Sequence, residues 1–418
     1  MENEIYAVID LKSFYASCEC AARGLDIFST PLVVADKSRS SNSIVMSSTP
    51  FLKKEYGIPN VCRIGDLPEV PNLIFATPRM AYYVEMSAKV VSLFLNYVSE
   101  EDLHVYSIDE SFLRLTPYLK LNNCDADTLV SRIQKDIKEQ LGLTATCGMG
   151  PNMFLAKSCL DNEGKKRPLY RAYWGMKDVP SKLWAISPIT KVWGINRGIS
   201  SHLHRLGIRS LEALAKSDPL LLKKEFGIMG LQLLNMANGI DETDITKKYV
   251  PKETSLTQGQ VLMRDYSASE GELILKESVD ELCVRLRKSN QIAGCASIYV
   301  GYASLEHGGG FHHQCSLNIP TDDNDELFDC LKSIYRRYVG NRKIRNLSIA
   351  FSKLRAYDAP RQLDAFGDPY YQEEKRNLRL AIDYISDVYG KNAVLRASSL
   401  TASSTIRERH GYIGGHRA

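Results

Sequence analysis

Ile5-Tyr6-Ala7-Val8-Ile9-Asp10 and Tyr106-Ser107-Ile108-Asp109-Glu110-Ser111 are the two stretches that decide how this chain is read. Each is a short apolar run that ends on acid. The first predicts a strand over 5–9 closed by Asp10, and the second a strand over 103–108 closed by Asp109 and Glu110. A charge buried without a partner is costly, so these acids belong where strand gives way to solvent. Two such strands side by side would gather three negative charges, which a hard, oxygen-seeking cation such as Mg²⁺ relieves. Acids after strands are also ordinary turn residues, and the flanking sequence has to choose between the two readings.

Composition narrows the class. The chain has 418 residues, 44% hydrophobic and 24% charged, which describes a globular protein of several domains. No apolar run approaches the roughly 18 residues of a membrane span. The acidic Met1-Glu2-Asn3-Glu4 leads straight into a strand, so no signal peptide, a cytoplasmic location and no membrane partner are expected. The ten cysteines are scattered without zinc or disulfide spacing, which predicts reduced thiols throughout. His202/His204 and His312/His313 lack cysteine or acidic neighbours at ligand spacing and read as non-metal residues. A net charge of +4 says little, but its distribution says more. From Leu331 to Ala356 there is no acid, while Lys332, Arg336, Arg337, Arg342, Lys343, Arg345, Lys353 and Arg355 are interleaved with Tyr335, Tyr338 and Phe351. Such a one-signed stripe suits a phosphate backbone.

Along the chain, strands are expected over 5–9, 32–35, 44–47, 73–76, 103–108 and 144–148. Between them, Tyr82, Tyr83, Met86, Val90, Leu93, Phe94 and Tyr97 mark one helix, and Leu129, Ile133, Ile137 and Leu141 a second. A mixed sheet covered by helices on one face follows. Residues 171–240 read as all-helical, with glycine-bounded turns at 192–198 and 226–230 whose free amides could meet a DNA phosphate. A polar linker over 241–253 precedes a small α/β domain with helices over 273–287 and 327–338 and strands over 296–302 and 347–351. The remainder carries a charged helix around 370–390 and a polar tail with too little apolar content for a core, expected to order on binding.

Three motifs in order then become recognisable: Asp10-Leu11-Lys12-Ser13-Phe14-Tyr15-Ala16-Ser17-Cys18-Glu19, Ser107-Ile108-Asp109-Glu110, and Gly148-Met149-Gly150-Pro151-Asn152-Met153-Phe154-Leu155-Ala156-Lys157. Together they resemble the Y-family DNA polymerases of translesion synthesis, nearest the UmuC-like (ImpB/MucB/SamB) branch. The ending Tyr412-Ile413-Gly414-Gly415-His416-Arg417-Ala418 resembles homologues from Gram-positive bacteria and their mobile elements. The resemblance implies a multidomain α/β (α+β) right hand. Its palm would span 1–170 with small fingers inserted at about 20–75, its helical thumb 171–240 with helix-hairpin-helix-like loops, its little finger 245–356, and its tail 357–418.

The same resemblance implies chemistry. Two Mg²⁺ ions would be bridged by Asp10 and Asp109, with Glu110 on the primer side and the Leu11 carbonyl as an extra ligand. Tyr15 matches the steric gate that excludes a 2′-hydroxyl, beside Phe14, and Lys157 matches a triphosphate contact. The fingers depart from the pattern: Phe51 stands where many relatives have tyrosine, and Lys54 where many have arginine. Phenylalanine cannot hydrogen-bond and lysine lacks bidentate geometry, so Ser48 and Lys54 are expected as weaker nucleotide contacts. Arg336, Arg337, Arg342, Lys343, Arg345, Lys353 and Arg355 would track primer–template DNA. Gln362, Leu363 and Phe366 resemble the short peptide that docks on the bacterial sliding clamp.

The expected activity is template-directed, low-fidelity DNA synthesis from dNTPs past damaged template, in DNA repair and the SOS response. The enzyme is expected to be a monomer without proofreading. Two rivals stand beside it. One is a DNA- and clamp-binding accessory relative whose catalysis has lapsed. The other is a nucleotidyl cyclase, which predicts neither the glycine turns nor the basic stripe.

Overall fold

In a computed structural model, which describes residues 4–38, 42–59, 61–251, 253–304, 309–359 and 369–418, the strand carrying Asp10 runs Tyr6–Leu11 (β1). It is apolar on both sides. Ala7, Ile9 and Leu11 enter one core, and Tyr6 and Val8 enter another, as the two-residue period of a strand requires. The chain continues through α1 (Phe14–Ala21), β2 (Leu32–Val34), β3 (Ile44–Val45), β4 (Ser47–Ser48), α2 (Pro50–Glu55), β5 (Cys62–Arg63), β6 (Ile74–Ala76) and α3 (Met80–Phe94). Then come β7 (Leu103–Val105), β8 (Glu110–Arg114), α4 (Thr116–Leu121), α5 (Ala126–Leu141), β9 (Ala145–Gly150), α6 (Met153–Asn162) and β10 (Arg171–Tyr173). Strand order in the main sheet is β10-β9-β1-β8-β7.

Two expectations change here. Asp10 lies inside β1 instead of following it, and Asp109 and Glu110 sit where the β7–β8 turn enters β8, a strand the sequence reading missed. The sheet is also covered on both faces. Helices α3 and α5 pack on Ala7, Ile9 and Met149, while α6 packs on Tyr6, Val8 and Phe112 through Met153, Ala156 and Leu160. The cause is glycine in β9. A Cβ on Gly148 would lie 2.2 Å from the Leu160 nitrogen and 2.3 Å from the Ala156 oxygen, so α6 rests against bare backbone. No side-chain stripe announces such a contact in sequence.

Strand β10 pairs in parallel with β9, so the helical stretch begins after Tyr173 and not at 171. It comprises α7 (Arg197–Arg205), α8 (Leu211–Ala215), α9 (Pro219–Phe226) and α10 (Ile228–Ala237), around Leu203, Leu211, Leu214, Leu222 and Leu233. At α7 the Asn196 side chain accepts from the Ile199 amide at 2.9 Å, so a cap already serves part of the turn expected to offer free amides.

The chain divides into two compact units, 1–248 with 416–418 and 249–415. The second holds β11 (Leu256–Tyr266), α11 (Ala268–Lys288), β12 (Gln291–Tyr302), β13 (Gly310–Thr321), α12 (Asn324–Val339) and β14 (Ile344–Ala356), with strand order β11-β14-β12-β13. Strands β11 and β13 were not anticipated. Helices α11 and α12 cover one face of this sheet through Ile274, Leu282, Leu331, Leu347, Ile349 and Phe351. Cys315 and Cys330 are joined as a disulfide with Cα atoms 6.8 Å apart, against the expectation that all thiols are free.

The polar tail is also seated, contrary to expectation. Helix α13 (Pro369–Tyr389) faces the unit with charge: Asp383 takes two hydrogen bonds from the buried Arg287 at 2.6 and 3.1 Å, and Arg376 donates to Asp322 at 2.9 Å. Further on, Arg396 pairs with Asp280 at 2.6 and 3.0 Å, and Ser404 donates to the buried Glu277 at 2.6 Å. Charged pairs along α11 and before α12 do for the tail what an apolar core does elsewhere. Hydrogen bonds to charged groups are each worth about 1.5–3 kcal/mol.

Candidate active site

The β1–β8 register sets Asp10 directly opposite Glu110. Opposed residues of an antiparallel pair project to the same face, and here α6 lies across that face. Its Lys157 places Nζ 2.7 Å from Glu110 Oε1 and 2.9 Å from Oε2, and donates to Asp161 at 3.2 Å. Lys165, in the turn after α6, sits 2.9 Å from Asp10 Oδ2 and 3.1 Å from Asp161 Oδ1. The centre is thus an alternating chain of charge, Glu110–Lys157–Asp161–Lys165–Asp10. Asp161 and Lys165 were missed by sequence reasoning, although Lys157, Asp161 and Lys165 stand at four-residue spacing, the signature of one helical face.

Burial shapes this centre. Glu110 and Lys157 are 8% and 7% exposed. Burial pushes the Asp10 carboxyl above its usual range, Lys165 draws it back, and nearby Asp109 adds to the rise. Burial likewise raises Glu110 against the pull of Lys157. Burial lowers Lys165, but Asp10 and Asp161 outweigh it and hold the ammonium above its ordinary value.

Asp109 stands apart. Its carboxylate accepts from Ser107 Oγ at 2.7 Å, while its carbonyl accepts from the Leu11 amide at 2.9 Å. Among the described residues no three His, Cys, Asp or Glu side chains converge closely enough to hold a metal ion. The donors nevertheless suit one. All three side chains offer oxygen, as Mg²⁺ prefers, and Glu110 Oε1 is buried without a hydrogen bond of proper geometry although Lys157 lies beside it.

Tyr15 is half-buried on α1 and packs on Tyr83 with ring centroids 4.8 Å apart. Tyr83 donates to the wholly buried Glu19 at 2.8 Å, and Arg79 fixes the same carboxylate at 2.9 and 3.0 Å. Phe14 points into the core and is 3% exposed. Ser48 is buried in β4 opposite Val33. The Lys54 side chain is 83% exposed and pairs with Glu55 at 3.0 Å. Among the described residues none of these three makes a hydrogen bond or ion pair to Asp10, Asp109 or Glu110, and the Phe14 ring lies 5.6 Å from that of Tyr15.

Residues 9–161 match the model of the impB/mucB/samB family, and residues 253–365 the model of its C-terminal domain. UvrX of Bacillus subtilis (strain 168), whose name marks it as a UV-damage repair protein, is 35% identical over 98% of this chain and 97% of that protein. This chain belongs to the impB/mucB/samB family. Another family protein, DNA polymerase IV 2 of Bacillus subtilis (strain 168), is 29% identical over 100% of this chain and 99% of its own length. A solved Y-family DNA polymerase chimera superimposes with a TM-score of 0.67, covering 84% of this chain and 99% of that one, at 21% identity. That last likeness is one of fold.

In this impB/mucB/samB protein the basic stripe is divided in space. Arg336 is held by Glu272 of α11 at 2.7 and 2.8 Å, and Arg345 lies 3.4 Å from Asp265. Arg342 stacks 3.5 Å from the Tyr302 ring centroid, and Arg337 lies over Tyr338. A stretch without acids in sequence has acquired them by folding. Arg336 and Arg337 ride on α12, while Arg345, Lys353 and Arg355 belong to β14 and Arg342 and Lys343 to the turn between. The sheet face away from the helices carries Gly259, Ser297, Tyr299, His312, Gln314, Ser348 and Ala350 by register. Mostly small and polar, it was not picked out from sequence, because alternation in β11 and β13 went unread. Gln362, Leu363 and Phe366 lie outside the described residues.

Proposed function

We propose that this chain is a translesion DNA polymerase that adds deoxynucleotides to a primer end with low fidelity and without proofreading. The observation that carries the reading is the opposition of Asp10 and Glu110 across β1 and β8, beneath a lysine-bearing helix pressed onto the sheet. Asp10, Asp109 and Glu110, with the Leu11 carbonyl, would hold two Mg²⁺ ions. Such ions supply activation of the primer hydroxyl and neutralisation of the triphosphate. Phosphoryl transfer asks the protein chiefly for position and charge. Asp10 and Glu110 provide both from adjacent strands, and Lys157 and Lys165 keep the buried acids ionised until substrate arrives. Primer–template DNA lies on the open sheet face and the basic residues of β14, bound through its backbone.

Tyr15 is the steric gate. Its ring is backed by Tyr83, so it cannot retreat from a 2′-hydroxyl. Tyr15→Ala lowers the preference for deoxy- over ribonucleotides by roughly 10–200-fold, the range one steric difference is worth; an unchanged ratio of the two insertion efficiencies removes the gate. The whole reading is tested by primer extension with Mg²⁺ and deoxynucleotides on intact and abasic templates. Metal-dependent extension supports it, and passage of the abasic site supports bypass. A primer left untouched, even with a sliding clamp present, favours the accessory protein.

A further inference from the structure

We propose that Lys53, and not its neighbour Lys54, is the fingers residue that holds the triphosphate of the incoming nucleotide. The proposal rests on the polymerase reading and deepens it. Consecutive residues of a helix point about 100° apart, so only one of the two lysines on α2 can face the palm. Leu52 anchors this helix, being wholly buried. With that side inward, Lys53 extends to Ser13, its Nζ 3.0 Å from the hydroxyl, while Lys54 turns to solvent and Glu55. Ser13 occupies the left-handed region (φ 48°) between β1 and α1, three residues beyond Asp10. Lys53 is therefore carried from the fingers to the edge of the carboxylate centre.

Its electrostatic setting separates it from the two lysines of the charge chain. Lys157 and Lys165 are each paired with acids. Among the described residues Lys53 makes no ion pair, and its one side-chain hydrogen bond is to the Ser13 hydroxyl. Lys12 likewise makes no ion pair among the described residues, lying 4.7 Å from the Tyr170 ring centroid. Burial draws the Lys53 ammonium below its ordinary pKa, and Lys12 and Lys165 add to this while Asp10 opposes it. A half-buried cation without a counter-ion, beside others of its sign, is a site for an anion. The paired lysines balance the acids, and the unpaired ones remain for a polyphosphate. Phe51 on the same helix has no polar atom to offer and packs against Tyr56 at 6.1 Å, so the lysine carries the fingers' contact.

Single-nucleotide insertion and equilibrium binding of dATP with Mg²⁺ to the primer–template complex, its primer ended in a dideoxynucleotide, test this together. Lys53→Met raises the KM for dATP by roughly 10–100-fold, the worth of a charged hydrogen bond, and weakens dATP binding in step. Lys53→Arg restores most of both, and Lys54→Met behaves as the parent. Unfolding midpoints matching the parent exclude a folding defect. Parental KM and dATP binding in Lys53→Met, or an equal loss in Lys54→Met, overturn the proposal. If the parent binds dATP through Lys53 yet never extends a primer, the polymerase reading fails while the contact stands. A parent that binds no dATP sinks the contact as well.

Discussion

Glu110→Gln and Asp10→Asn each reduce single-turnover primer extension by at least about 100-fold, the upper end of what losing a mere supporting partner costs a metal site. The amide keeps the shape of the carboxylate but removes the charge a divalent ion requires. Lys157 retains Asp161 in Glu110→Gln, and Lys165 retains Asp161 in Asp10→Asn, so neither ammonium is stranded and the fold survives. Glu110→Ala lacks even the amide oxygen beside the buried Lys157, a loss of the kind that costs about 3–5 kcal/mol when a buried pair is broken. The amide variants therefore separate chemistry from stability. Rapid-quench extension beside thermal unfolding is the measurement. Near-parental rates in both amide variants would remove the strand-opposed acids from catalysis.

Gly148→Ala is expected to be strongly destabilising for the first unit. The added Cβ would meet backbone of α6 at 2.2 and 2.3 Å, and backbone cannot swing aside as a side chain can. Overpacking of this kind costs about 3 kcal/mol, which lowers the unfolding midpoint by roughly 6–12 °C. Gly175→Ala is the comparison. That residue has φ −94° and the nearest contact of an added Cβ is 3.4 Å, from a tyrosine ring edge, so its midpoint stays near the parent. Equal midpoints for the two variants would mean that α6 does not rest on the β9 backbone. Because α6 also carries Lys157 and Asp161, residual Gly148→Ala protein should extend primers poorly even where it is folded.

The placement of Asp10 near Glu110 was legible because two apolar runs ended in acid and strands pair side by side. What escaped the sequence had identifiable physical reasons. Strand β8 begins on Glu110 itself, so the charge that marked the site also hid the strand behind it. The second covered face depended on Gly148 and Gly150, and absent side chains leave no periodicity. Lys54 was chosen over Lys53 on resemblance alone, since a six-residue helix has too few apolar positions to fix which side faces inward. The basic stretch after Leu331 was read in one dimension, while Glu272 and Asp265 reached it from α11 and the end of β11. The tail was judged on apolar content alone, and its anchors are ion pairs.

Those anchors also bear on how the tail moves with its unit. Helix α13 is riveted through Arg287 and Asp322, and the stretch beyond it through Asp280 and Glu277. These moorings lie far apart along the chain, yet they converge on α11 and the turn before α12. A load placed on the tail is therefore shared among several fastenings, and a pull on any part of it is a pull on the whole second unit.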